Sequence, residues 1–319
     1  MRQQRRLALT VLLALTLQVP AFAQVRENRI TIIVGWAPGG ALDKLARLVA
    51  RRWSERDGIP VVVENKAGAN GMIGADFVAK SAPDGRTILF DQSSMLLHTF
   101  MRQKVPFNPA DMVSVTKLVI LPHVLVVNAQ LPYKTAAEFL AAARTSPGKF
   151  NFSTPGPGSA QQLVVEQFAR GVGIKLQHIP YKGGAPAMLA AAIGEVQVSA
   201  VSLATTLPFI ESGRVRALAV DAPERLEALP NVLTYGELGI KDISRVWFGA
   251  FLPPGTPAEV VRQINEGIVG VLKEPGVIEA IRKDGFQMVA NSPEEFAAEN
   301  VLETKSGEKM VRELNIRLD

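Results

Sequence analysis

The chain has 319 residues, 47% hydrophobic and 20% charged, enough for a substantial core arranged as one large or two medium domains. Its net charge of +5 falls to +2 once the three arginines of residues 1–23 are set aside, so no basic stripe marks a nucleic-acid surface. With no cysteine there is no disulfide and no lipid-bearing thiol, and core burial alone must stabilise the fold.

Residues 1–23 read as a secretory signal peptide. Arg2, Arg5 and Arg6 begin it, residues 7–19 are largely apolar, and Ala21 and Ala23 put small residues at −3 and −1 of a cleavage site before Gln24. The apolar run is too short for a membrane anchor. Arg5-Arg6 fits twin-arginine export poorly, so general secretion to the periplasm is the expectation. Ile30–Val34 then reads as a buried strand and residues 42–55 as an amphipathic helix with Leu45, Leu48, Val49 and Trp53 on one face. Strand 60–64, helix 74–81 and strand 87–90 complete a β-α-β-α-β run, which implies parallel strands and right-handed crossovers. A second unit follows: strand 124–127, helix 135–144 opening on the capping-box pattern Thr135…Glu138, strand 150–153, helix 160–170, strand 176–179, helix 186–193, and strands 196–201 and 217–220. The tail is helical over Ala258–Leu272, Pro275–Lys283 and Pro293–Leu314, the last with interruptions.

Two α/β units of similar grammar therefore stand in tandem. They predict two lobes, each a mostly parallel sheet flanked by helices, joined by extended crossings at 121–128 and Val246–Leu252. Lobe one takes residues 24–124 with 247–319, and lobe two residues 125–246. A cleft between such lobes, at the strand C-termini, is where open α/β sheets bind ligands.

Catalytic chemistry is poorly represented. There is no thiol, no Gly-x-Ser-x-Gly elbow and no Gly-Lys-Ser/Thr phosphate loop. His98, His123 and His178 are far apart and lack metal-ligand spacing, and "GANGMIG" (68–74) lacks the dinucleotide spacing. No enzyme activity, metal or cofactor is expected. Anion binding is better served. In "WAPGGALD", Gly39 and Gly40 join a strand to a helix; in "NFSTPGPGSAQQL", Ser153 ends a strand and Gly158-Ser159 starts a helix. Each helix start leaves N–H groups without intrahelical partners and adds partial positive charge, so a carboxylate between two such ends can be held by backbone donors. For either turn alone, plain helix entry is the simpler reading; one turn per lobe favours the clamp. Asp43 suits a capping acid better than a ligand contact. Trp36 can wall the pocket or join the core. "IPYKGGAPAML" repeats the strand-glycine-helix joint, with Tyr181 able to line the cleft and Lys182 favouring exposed surface.

At these residues the sequence resembles the Bug family of extracytoplasmic solute receptors, the binding components of tripartite tricarboxylate transporters. The pieces "PGGALDKLAR", "VVVENKAGANGMIGADFVAKSAPDGRTIL", "STPGPGSAQQL", "IPYKGGAPAM", "GRVRALAV" and "FGAFLPPGTPAEVVRQIN" carry it, in order, across nearly the whole mature chain. The resemblance implies a type II periplasmic binding-protein fold whose lobes close on a small carboxylate. It also implies that the loops around 38–41 and 153–159 grip that carboxylate through backbone N–H groups and waters. Ala41 stands where the family often has Ser or Thr, Gln161 and Gln162 stand where it commonly has a histidine, and Val196-Gln197 replaces Val-Asp. Fewer side-chain donors suit a ligand with one carboxylate and an aromatic or apolar remainder against Trp36. Gly39, Gly40, Ala41, Gly158 and Ser159 are the expected carboxylate contacts; Trp36, Ser93, Ser94, Ser153, Tyr181 and Ser202 are candidates for the pocket wall. The expected partners are a small organic acid and membrane transporter subunits, with no nucleic acid and a monomeric receptor. The alternative is a sensor that signals to a membrane kinase or regulator, and an enzyme acting on carboxylates is the remotest reading.

Overall fold

The computed structural model describes residues 29–240 and 245–318, so the signal peptide expected over 1–23 lies outside the described residues. Strand β1 (Ile30–Val34) lies between β2 (Val61–Asn65) and β3 (Thr87–Gln92), parallel to both. Apart from Thr31 it is apolar, because both faces are covered. Ile32 and Val34 meet the apolar side of helix α1 (Ala41–Asp57), whereas Ile33 points the other way, into the layer of α2 (Met72–Ala79).

From β3 the chain passes a short helix, α3 (His98–Met101), and enters β4 (Val113–Leu121). A single residue, Pro122, separates β4 from β5 (His123–Asn128), which belongs to the other sheet. That sheet is completed by α4 (Ala136–Thr145), β6 (Asn151–Thr154), α5 (Ala160–Gly171), β7 (Gln177–Pro180), α6 (Gly184–Ala192), β8 (Val198–Ser202), α7 (Leu203–Glu211), β9 (Val215–Val220) and β10 (Leu233–Thr234). The chain returns through β11 (Val246–Leu252), then α8 (Ala258–Leu272), α9 (Pro275–Lys283), β12 (Gln287–Met288) and α10 (Pro293–Leu314). The strand orders are β12-β4-β11-β3-β1-β2 and β10-β9-β5-β8-β6-β7. In the second sheet β5 alone runs against its neighbours, and in the first β11 and β12 oppose the rest. The reversed strands β5 and β11 are those by which the chain enters each lobe from the other. Helices cover both faces of each sheet, and Leu163 of α5 joins the core layer of lobe one, so the two cores touch behind the cleft.

Several elements differ from expectation for identifiable reasons. β4 was not anticipated because Thr116 and Lys117 interrupt its apolar pattern. Both are buried: Lys117 sits over the Trp247 ring and pairs with Glu299 and Glu303, each at 2.7 Å. α7 was missed because it carries Thr205, Thr206 and an internal Pro208, poor helix formers in isolation. α10 is continuous over 22 residues rather than interrupted. Ser292 and Glu295 close a capping box at its start, and interior Gly307 lets it lie against Leu97. At α4, Thr135 caps as expected, but Glu138 reaches back to the N–H of Lys134 instead of Thr135. Among the described residues no helix is long and apolar enough to cross a membrane.

Candidate functional site

The Trp36–Ala41 turn is shaped from both ends. Gly35 passes so close to the 68–74 segment that a Cβ on it would lie 2.8 Å from the Gly71 Cα, and Gly39 takes φ +82 in open space. The Gly39 N–H donates to Asp43 Oδ2 at 2.9 Å, and the same carboxylate accepts from Arg47 Nε and Asn65 Nδ2, both at 2.9 Å. Burial would raise the Asp43 pKa, but Arg47, the Gly39 N–H and Asn65 together outweigh it and hold the group below the usual carboxylate range. Asp43 is therefore a lock on the turn, not a free anion. Gly40 caps α1 in extended conformation, and the first-turn N–H groups from Ala41 onward have no intrahelical acceptor.

Trp36 is both wall and core. Its half-buried ring packs against the first lobe's apolar layer and lines the cleft, while its Nε1–H donates to Asp91 Oδ1 at 2.8 Å and its carbonyl accepts from Asn65 at 3.0 Å. Asp91 is fully buried, and that burial pushes its pKa up to about 7 against the opposing hydrogen bonds from Trp36 and the Gln92 N–H.

Between the lobes lies a cleft of about 560 Å³. Lobe one contributes Trp36 and the Gly39–Gly40–Ala41 turn, with Gln92, Phe248 and Phe286; lobe two contributes Pro155, Gln161, the Gly183–Gly184 turn, Ser202 and Thr205. The N-terminal ends of four helices thus converge on one space: α1 from one lobe, and α5, α6 and α7 from the other. Four partial positive charges and their unpaired N–H groups favour an anion there without a buried cation. Lys44 and Lys182 also line the cleft but are exposed.

Of the residues singled out from sequence, Trp36, Gly39, Gly40, Ala41 and Ser202 line this cleft. Ser202 caps α7 by position, and its hydroxyl pairs with Thr205 Oγ1 at 3.1 Å. The others lie elsewhere. Ser153 is buried, its hydroxyl donating to the Ala187 carbonyl at 2.8 Å and pairing with the Ser199 hydroxyl at 2.9 Å. The Gly158 N–H is taken by Gln162 Oε1 at 2.7 Å, and Ser159 caps α5 by accepting from the Gln162 N–H at 3.3 Å. The second loop therefore meets the cleft through Pro155 and Gln161, because its own polar groups are satisfied locally. Tyr181 packs its ring into the α6–α7 layer and donates to Glu195 Oε1 at 2.8 Å; burial, then Glu195, pushes its pKa up to about 12. Ser93 and Ser94 line a separate cavity of about 820 Å³ on the other side of the lobe junction, since the chain turns abruptly after Gln92.

Sequence reasoning missed Gln92, Phe248, Phe286 and Thr205. Phe248 and Phe286 come from β11 and the α9–β12 joint, far from any motif. Gln161 carried a signal, as a departure from the family pattern. The glycines before α6 were visible as a third strand-to-helix joint.

The family model described as "Tripartite tricarboxylate transporter family receptor" matches residues 45–316. The chain is 33% identical over 293 residues to "Protein BugT" of Bordetella pertussis, covering 91% of this chain and 90% of that protein. The structure of Rhodopseudomonas palustris Rpa4515 with adipate superposes with a TM-score of 0.84 at 29% identity, covering 91% of this chain and 98% of that one. MatC of the same organism, with bound malate, gives 0.80 at 27% identity, covering 89% and 98%.

Proposed function

The chain belongs to the tripartite tricarboxylate transporter family of receptors, and from that premise we propose that it is a periplasmic receptor capturing a small organic carboxylate between its lobes. The observation that carries this reading is the convergence of four helix N-termini on one interlobe cleft that, among the described residues, is lined by no buried cation. Adipate in Rpa4515 and malate in MatC support the carboxylate class. The two lobes close about the two crossings, because contacts from both sides of the cleft can be made together only in the closed form. The liganded form hands its acid to the membrane subunits of a tripartite transporter. The receptor works as a monomer, needs no cofactor, returns its ligand unchanged, and reaches the periplasm by cleavage of residues 1–23.

The test is mass spectrometry of ligand released from the purified protein, backed by a thermal-shift screen of carboxylic acids. A cognate acid at about 100 times its dissociation constant stabilises by about 2.7 kcal/mol. A shift with uncharged compounds and none with acids rejects the carboxylate reading. Gly40→Val gives the local check. Gly40 has φ −72, and an added Cβ meets only the Ala37 carbonyl oxygen at 3.5 Å, so the fold tolerates it. The expected result is loss of binding with an unchanged circular-dichroism spectrum; retained affinity would leave the turn a purely structural one.

A further inference from the structure

Among the described residues that line the cleft, only Ser202 and Thr205 carry hydroxyl groups, and both stand at the start of α7. Their oxygens lie 3.1 Å apart, and among the described residues neither has another hydrogen-bond partner. Two hydroxyls that share one bond use one of their two hydrogens, so one O–H is left to give. Ser202 is 6% exposed, whereas Thr205 is half-buried and open to the cleft. The neighbouring Thr206 is fully buried and spends its hydroxyl on the Val201 and Ser202 carbonyls at 3.3 and 3.0 Å. Ser202 does not close its own helix either. Thr135, Ser159 and Ser292 each accept from an N–H three residues on, and Ser202 does not. The N–H groups of Ala204 and Thr205 therefore have no acceptor within the helix. This first turn is seated against lobe one. The Leu203 N–H donates to the Pro122 carbonyl at 3.0 Å, a Cβ on Gly285 would lie 2.6 Å from Leu203 Cδ2, and Ala204 packs on the first lobe's apolar layer. Gly285 immediately precedes Phe286, which lines the cleft from lobe one, so the hydroxyl pair sits at the seam of the lobes.

Resting on the carboxylate reading above, we propose that Thr205 is the lobe-two side chain that grips the carboxylate, donating its Oγ1–H to it while Ser202 donates to Thr205 from behind. A carboxylate only accepts, so it completes a one-way chain from Ser202 to Thr205 to ligand, in which each bond polarises the next. The free N–H groups of Ala204 and Thr205 lie on the same turn and add the partial positive charge of the helix start. The second loop is unsuited to this part: the Gly158 N–H is held by Gln162, and Ser159 is fully buried and outside the cleft wall. The lobe-two half of the carboxylate clamp therefore lies on α7, not on the 153–159 loop.

The experiment is calorimetric titration of the purified protein with succinate, malate, adipate, citrate, benzoate and terephthalate, repeated on variants with the acid that binds tightest. Thr205→Val keeps the side-chain shape and removes the hydroxyl. It should weaken that acid by at least about tenfold while the unliganded melting temperature stays unchanged. Thr205→Ser restores the hydroxyl and should remain within about threefold of wild type. Ser202→Ala should cost less than Thr205→Val, and adding it to Thr205→Val should cost little more, because the two hydroxyls act as one chain. Equal binding by Thr205→Val and wild type overturns the proposal and leaves the carboxylate reading standing; no binding by any acid overturns both. A loss in Thr205→Ser as large as in Thr205→Val marks a packing role and also overturns it. Should Thr205→Val fail to fold, Thr205→Ala set against Thr205→Ser makes the same comparison.

Discussion

Two carboxylates hold the Trp36 turn, and their surroundings push them in opposite directions. Asp43 receives three donors and is held low, so it contributes stability above its unfolded pKa that is lost as pH falls through the folded value. Asp91 is pushed up to about 7, from 3.8, chiefly by burial. Below pH 4 both states of the chain carry its proton. As pH rises toward 7 the unfolded chain ionises first, so stability falls across that window, and the penalty is complete above it. Asp91→Asn keeps an acceptor for the Trp36 indole and removes the ionisation. The variant should melt higher than wild type at pH 8 and show no advantage below pH 4 in a series of thermal melts; a pH-independent difference would acquit Asp91. Trp36 was visible from sequence as a cleft candidate because it adjoins the turn. Its partner Asp91 was not, since 55 residues separate two groups that only sheet pairing brings within 2.8 Å.

The long helices were legible because an apolar stripe at a period near 3.6 is a local property. Ala258–Leu272 was read to its ends, and its apolar side packs against α1. What no period reveals is how closely two helices approach. Gly267 of α8 sits directly over the Trp53 indole, which is 2% exposed and tied by Nε1 to Asp57 Oδ2 at 2.9 Å. Gly267→Ala gains about 1 kcal/mol of helix propensity but drives a methyl into a rigid ring, an overpacking that costs about 1–3 kcal/mol. Net destabilisation by denaturant titration is expected; a stabilised variant would mean that the helices have room to part. β4 illustrates the opposite failure, since its buried Lys117 is acceptable only because Glu299 and Glu303 arrive from α10, about 180 residues onward.

Across the whole molecule, the "GANGMIG" stretch finds its use between the lobes. Gly68, Ala69, Asn70 and Gly71 all have positive φ, and Asn70 Nδ2 donates to the Gly158 carbonyl at 2.7 Å, from lobe one to lobe two. That bond ties the lobes together as they stand around the cleft. Losing it costs the arrangement about 1 kcal/mol, so a ligand that needs both lobes should bind about fivefold more weakly. Asn70→Gly suits the positive φ and removes only the side chain; equal affinities by calorimetry would show that the bond plays no part in holding the lobes. Asp221 works at the same scale. It accepts from the His123 N–H at one crossing and feels Arg245 at the other, a placement that strand pairing alone creates.

Alternating strand and helix periods and glycines at strand-to-helix joints were enough to determine two α/β lobes and to point to an anion-favouring cleft, because each is written in neighbouring residues. The tertiary structure decided which donors remain free in that cleft. Hydrogen-bond satisfaction is settled pairwise in space: Asp43 takes the Gly39 N–H, Gln162 takes that of Gly158, and the Gln161 amide meets His123. What is left over for a ligand is a remainder that local pattern does not contain.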